Sequence, residues 1–162
     1  MKQGVFIRPI QPGDNAVLAI IIRNSLSEFN ADKPGTVYYD ESTDHLSDIF
    51  LREKSAYFVM EVDGIVAGGG GFFPTDGLDA DTCELVKMYL SKDFRGKGYG
   101  QLLLDTCMKE AKAKGFSKMY IETMPELKGA IGMYEKNGFQ KIQGHLGNSG
   151  HTGCDVWMIK VL

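Results

Sequence analysis

KMYLSKDFRGKGYGQLLL, residues 87–104, decides how this chain is read. A strand pattern closes on Leu90, and a helical pattern opens a few residues later. Between them stand Arg95, Gly96, Lys97, Gly98, Tyr99 and Gly100, followed by Gln101. Glycines at such spacing let the backbone turn tightly with its N–H groups facing outward. Together with the positive end of the following helix they form an anion site, suited to a phosphate or pyrophosphate. Arg95 and Lys97 add charge in the same place. The plainer alternative is a loop with glycines for turning and basic residues for solubility. The strand–turn–helix context favours the anion site. Two other nucleotide motifs fail: Gly96, Gly98 and Gly100 do not give G-x-G-x-x-G, and Ser91 stands where a P-loop needs its first glycine. The run Gly68–Gly71 lies inside a strand pattern and reads as a bulge or a close approach.

Working outward, strand and helix patterns alternate. Strands are expected over 5–10, 56–62, 65–73, 82–90, 118–123, 139–143 and 155–161. Helices are expected over 15–24, 43–53, 98–115 and 125–136, with Asp14 capping the first and Gly115 closing the third. Asp63-Gly64 between two strand patterns predicts a tight hairpin. Hairpins and βαβ units are mixed, so the fold class is α/β with a mixed, mostly antiparallel sheet of about seven strands and four helices.

The whole sequence fits one domain of 162 residues. Its 18 basic and 21 acidic side chains leave a net charge of −3, which disfavours nucleic acid as a partner. The longest apolar run, Ala16 to Ile22, is far short of the roughly 20 residues needed to span a bilayer. Residues 1–10 show no secretion signal, and Cys83, Cys107 and Cys154 are an odd set without close pairing. A reduced, cytoplasmic setting is expected.

Arg95, Gly98 and Gly100 match the Q/R-x-x-G-x-G/A acetyl-CoA motif of the GNAT superfamily of N-acetyltransferases, which the sequence resembles most strongly over residues 82–142. LVKMYL (85–90) and AIGMYEKNGF (130–139) resemble the family's neighbouring segments. The resemblance implies acetyl-CoA as co-substrate and an amine acceptor, either a small molecule or a peptide. Backbone groups of Met88, Tyr89 and Leu90 would then hold the pantetheine arm, and residues 95–101 the pyrophosphate. Tyr134 is implied as the general acid facing the coenzyme A sulfur. A core role is the alternative, since Leu127, Ile131 and Tyr134 share a helical face.

Glu84 is the candidate general base, against the alternative of an exposed or salt-bridged carboxylate. Simple alternation places Glu84, Val86 and Met88 on one face of the strand and Leu85, Lys87 and Tyr89 on the other. The loop GHLGNSGHTGC (144–154) borders the acceptor region in such folds. Its His145, His151 and Cys154 match no common zinc spacing, so no metal is expected. His151 is a possible base or substrate contact, Tyr38 and Tyr39 are possible pocket-lining residues, and Trp157 reads as core. Homodimers occur in the family. The rival to an enzyme is a non-catalytic acyl-CoA-binding sensor or partner module.

Overall fold

The computed structural model describes residues 4–162; the start of the stretch read for a leader lies outside them. All seven strands join one sheet: β1 (Val5–Pro9), β2 (Ala56–Val62), β3 (Ile65–Phe73), β4 (Thr82–Leu90), β5 (Lys118–Thr123), β6 (Gln140–Ile142) and β7 (Val156–Val161). Their order is β1-β2-β3-β4-β5-β7-β6. Every neighbouring pair is antiparallel except β4 and β5. The main helices are α1 (Asn15–Glu28), α2 (Leu46–Ile49), α3 (Tyr99–Ala113) and α4 (Lys128–Lys136). Leu18, Ile22 and Leu26 of α1 pack on one face of the sheet with Tyr57 and Val59. Leu104, Cys107 and Ile131, from α3 and α4, pack on the other with Leu85, Met119 and Met158. No described helix is long and apolar enough to cross a membrane.

The β2–β3 hairpin turns at Asp63 and Gly64, both with positive φ, as the dipeptide predicts. Helix expectations needed more correction. The expected helix over 43–53 is a 3-10 turn, Glu41–Asp44, followed by the single turn of α2. Its polar groups bond elsewhere: Thr43 Oγ1 donates to Val37 O at 2.8 Å, Ser47 N donates to Asn15 Oδ1 at 2.9 Å, and Ser47 Oγ accepts from Asn15 Nδ2 at 2.8 Å. Asp14 does not cap α1 with its side chain; its carboxylate receives both Arg8 amino groups and the N–H of Gln11. Helix α4 starts at Lys128 rather than Pro125, because Leu127 N bonds to Met124 O in a turn first. Helix α1 runs four residues past the expected end at 24, to Glu28. Trp157 is half-buried rather than core.

Two features of the central strands prepare the site. First, β4 and β5 pair only at Thr82–Lys118, Cys83–Met119 and Glu84–Tyr120, although β4 continues to Leu90. The strands then diverge and a cleft opens between them. Second, simple alternation along β4 fails at a bulge. The register moves from Gly71–Val86 to Gly69–Tyr89, so Lys87 and Met88 together oppose Gly70, and Lys87 has φ +51. Met88 therefore joins Leu85 in the core beneath α3 and α4. Lys87 and Tyr89 turn to the α1 side, the side that Glu84 faces.

The glycines of β3 make the bulge possible. A Cβ at Gly69 would stand 2.5 Å from the Tyr57 ring, and one at Gly68 only 2.1 Å from Tyr89 O. Tyr57 lies across β3 through that gap, and its hydroxyl donates to Lys87 O at 2.8 Å. Tyr57→Phe keeps the ring and leaves that carbonyl without its donor. A cost of about 1–3 kcal/mol is expected, seen as a lower urea midpoint at unchanged m-value. An unchanged midpoint would show that the bulge needs no such anchor.

Candidate functional site

The cleft between β4 and β5 has a volume of about 570 Å³. Its walls include Leu90, Gly96, Gly98 and Gly100, and also Tyr89, Glu122 and Tyr134. Gly98 caps α3 with φ +83, and Gly96 has φ +72; both are left-handed conformations that favour glycine. The first intrahelical bond at this end runs from Leu102 N to Gly98 O. The N–H groups just before Leu102 are thus free for an anion, on a helix of 15 residues.

The flanking residues divide into two groups. Gly96, Gly98, Gly100 and Gln101 border the cleft, whereas Lys97 and Tyr99 do not; Tyr99 packs against the cluster of Met60 and Leu103. Arg95 borders it but is already engaged. Its guanidinium donates to Leu90 O at 2.9 Å, Ser25 Oγ at 3.1 Å and Glu28 Oε2 at 2.7 Å, and lies over the Phe29 ring. It ties the end of β4 to α1. Gln101 forms a reciprocal amide pair with Asn137 at 2.8 Å each way, which locks the start of α3 to the end of α4.

Tyr134 is buried, edge-on to Phe139, and borders the cleft. Core membership and cleft access therefore coexist in one side chain. Burial pushes its phenol pKa above the ordinary value. Leu127 borders the cleft with an apolar side chain.

A smaller cavity of about 50 Å³ adjoins the cleft on the α1 side. Lys87, Tyr89 and Glu122 border both spaces. Glu84 lines the smaller one, with its side chain accepting from Thr75 Oγ1 at 2.6 Å. Burial, and then the charge of Glu122, raise its pKa to about 7. Glu122 accepts from Tyr120 at 2.8 Å and from Ser149. Asp40 binds Lys87 Nζ at 3.2 Å and His151 Nε2 at 2.6 Å. Burial opposes the charge on His151, but Asp40 outweighs it and raises the pKa. Burial likewise works against Asp40, whose pKa is nonetheless lowered by His151 and Lys87.

Glu84, Glu122 and His151 place ligand-type atoms within 4.8 Å of one another, a grouping the zinc-spacing argument did not anticipate. Lys87 and His151 already bring positive charge to that group. Tyr39 is largely exposed, and neither Tyr38 nor Tyr39 lines the small cavity; Val37 does. His145 lies in an exposed loop with its ring against Gly147 O. Burial raises the Cys154 thiol to about 12, which leaves it a poor nucleophile. Glu122, Asp40 and Lys87 were missed as a group because they come from three distant segments. Lys87 and Glu122 come together on the neighbouring strands β4 and β5, and Asp40 reaches them from the segment between α1 and α2.

The sequence matches the Acetyltransferase (GNAT) family over residues 23–139. It is 40% identical to the uncharacterized N-acetyltransferase YjgM of Escherichia coli (strain K12), covering 99% of this chain and 96% of that one. Among solved structures, an acetyltransferase from Streptococcus agalactiae superposes with TM-score 0.84 at 18% identity, covering 99% of each chain. The paia N-acetyltransferase of Thermoplasma acidophilum, in complex with coenzyme A, superposes with TM-score 0.77 at 21% identity, covering 99% of this chain and all of that one. The chain belongs to the GNAT acetyltransferase family.

The raised Glu84 pKa has a consequence for stability. Between the ordinary carboxyl value near 4.5 and about 7, the unfolded chain loses this proton while the folded chain keeps it. Folding stability from this group therefore falls as pH rises through that window. Glu84→Gln removes the penalty. Its melting midpoint relative to wild type should rise between about pH 5 and about pH 8. A constant difference would mean that Glu84 titrates like an exposed carboxylate.

Proposed function

We propose that this protein transfers the acetyl group of acetyl-CoA to a primary amine by direct attack. The observation that carries the reading is the junction of the two cavities. A cleft bordered by the helix N-terminus shares walls with a carboxylate-lined pocket, and Tyr134 lines the first while Glu84 lines the second. The continuous sheet supports one N-acetyltransferase domain over the described chain.

The long cleft takes coenzyme A. Its pyrophosphate rests on the free N–H groups between Gly96 and Gln101, where the helix end favours negative charge. Lys97 adds charge from the rim. The amide groups of the pantetheine arm pair with the edge of β4 over Met88, Tyr89 and Leu90, which β5 has left bare. A backbone N–H beside Tyr89 meets the oxyanion that forms when the thioester carbon is attacked.

The acceptor amine enters the small cavity. It arrives as an ammonium, because an alkyl amine is protonated near neutral pH, and the carboxylates Glu84 and Glu122 favour that form. Glu84 takes its proton. A carboxylate with a pKa of about 7 holds protons better than an ordinary one and is still ionised in a large fraction of molecules at neutral pH. The amine then attacks, the C–S bond breaks, and Tyr134 protonates the departing thiolate while the second proton of the nitrogen restores the phenol. Acid and base are thus two separate groups, one lining each space.

The test is acetyl-CoA-dependent thiol release across a panel of primary amines. Tyr134→Phe should bind acetyl-CoA as wild type does while turnover falls by about tenfold or more. Glu84→Gln should lose turnover and, with it, the ionisation near neutral pH in kcat/KM. Unchanged turnover in Tyr134→Phe would remove the tyrosine from this role. Absence of thiol release with every amine in the panel would favour a binding module over an enzyme.

A further inference from the structure

One buried amine at this junction has no part in the reaction just described. Lys87 sits at the bulge of β4, where its positive φ takes it out of simple strand alternation. Its side chain is only 7% exposed, and Nζ lies 3.2 Å from Asp40 Oδ2. It borders both the cleft and the small cavity. A primary amine therefore stands where a thioester in the one space would meet an acceptor in the other. Burial lowers its pKa, with Asp40 and Glu84 working in the opposite direction. A lysine so placed is a nucleophile once it gives up one proton. Exposed lysines such as Lys92 and Lys97 share the chemistry but not the place.

We propose that Lys87 is an internal acetyl acceptor, taking the acetyl group from acetyl-CoA when no outside amine is bound. The inference rests on the donor reading given above. The Nζ lone pair forms the new C–N bond, the C–S bond breaks, and its electron pair goes to sulfur. The ammonium gives up two protons in becoming an amide. One passes to Glu84, and the other ends on sulfur by way of Tyr134. The products are an acetylated Lys87 and free coenzyme A, and no other reactant is needed. The amide is neutral, so the ion pair with Asp40 is lost and the acetyl group occupies the small cavity. The modified chain is blocked toward outside amines.

The experiment incubates the full chain with acetyl-CoA and no amine, then maps acetylation by peptide mass spectrometry. A parallel sample contains excess coenzyme A, and another uses Lys87→Arg, which keeps the charge beside Asp40 but cannot accept the group. The expected result is acetylation of Lys87 that excess coenzyme A suppresses, and loss of that acetyl increment from intact Lys87→Arg. An unmodified Lys87 would overturn the inference. So would modification that excess coenzyme A leaves unchanged, since that is bulk chemistry. Calorimetric titration of acetyl-CoA on the same sample separates the two levels. Binding without Lys87 acetylation overturns this inference alone, and absence of binding removes the donor reading along with it.

Discussion

β4 is a nine-residue strand whose parallel partner pairs with it at three positions. Beyond Glu84 the edge facing β5 carries backbone N–H and C=O groups with no strand to receive them. Such groups need a partner when buried. In this fold the gap is a cleft, so the partner can be a bound molecule with amides of its own. The same divergence frees the following turn to swing into α3 with its N–H groups facing the cleft. The cleft and the entry into α3 are therefore both consequences of one unpaired edge.

The bulge at Lys87 is the second half of that constraint. It sends Met88 into one core while Lys87 and Tyr89 face the other side. The glycines of β3 and the hydroxyl of Tyr57 hold it in place. The charged group around the small cavity depends on it. Three carboxylates (Glu84, Glu122 and Asp40) stand with Lys87 and His151. Asp40 holds Lys87 and one nitrogen of His151, whose other nitrogen lies 3.9 Å from Glu122; Glu84 and Glu122 also accept from hydroxyl donors. Burial, and after it the nearby charge of Glu122, makes Glu84 keep its proton to higher pH.

Much of this was legible in the sequence because it rests on local chemistry. Asp63-Gly64 and the RGKGYG turn need particular backbone angles, and short-range pattern announces those needs. Gly68–Gly71 could be read as a close approach, although nothing local says that the approaching group is Tyr57. Polar side chains that bond outside their own segment shortened the helix expected over 43–53. Alternation failed along β4 because a bulge is set by the partner strand. Glu122 lies in the strand KMYIET without a motif of its own, and it gains meaning only beside Glu84 and His151. Long-range juxtaposition of this kind leaves no local trace.

The proposed reaction depends on the cleft between β4 and β5 receiving coenzyme A. The most direct measurement is the melting midpoint with acetyl-CoA, coenzyme A, ATP and NAD in parallel. A ligand that binds only the folded chain, at about 100 times its Kd, adds about 2.7 kcal/mol of stability. A clear rise is expected with the two coenzyme A forms, and none comparable with ATP or NAD. No rise with either coenzyme A form, or an equal rise with all four ligands, would contradict it.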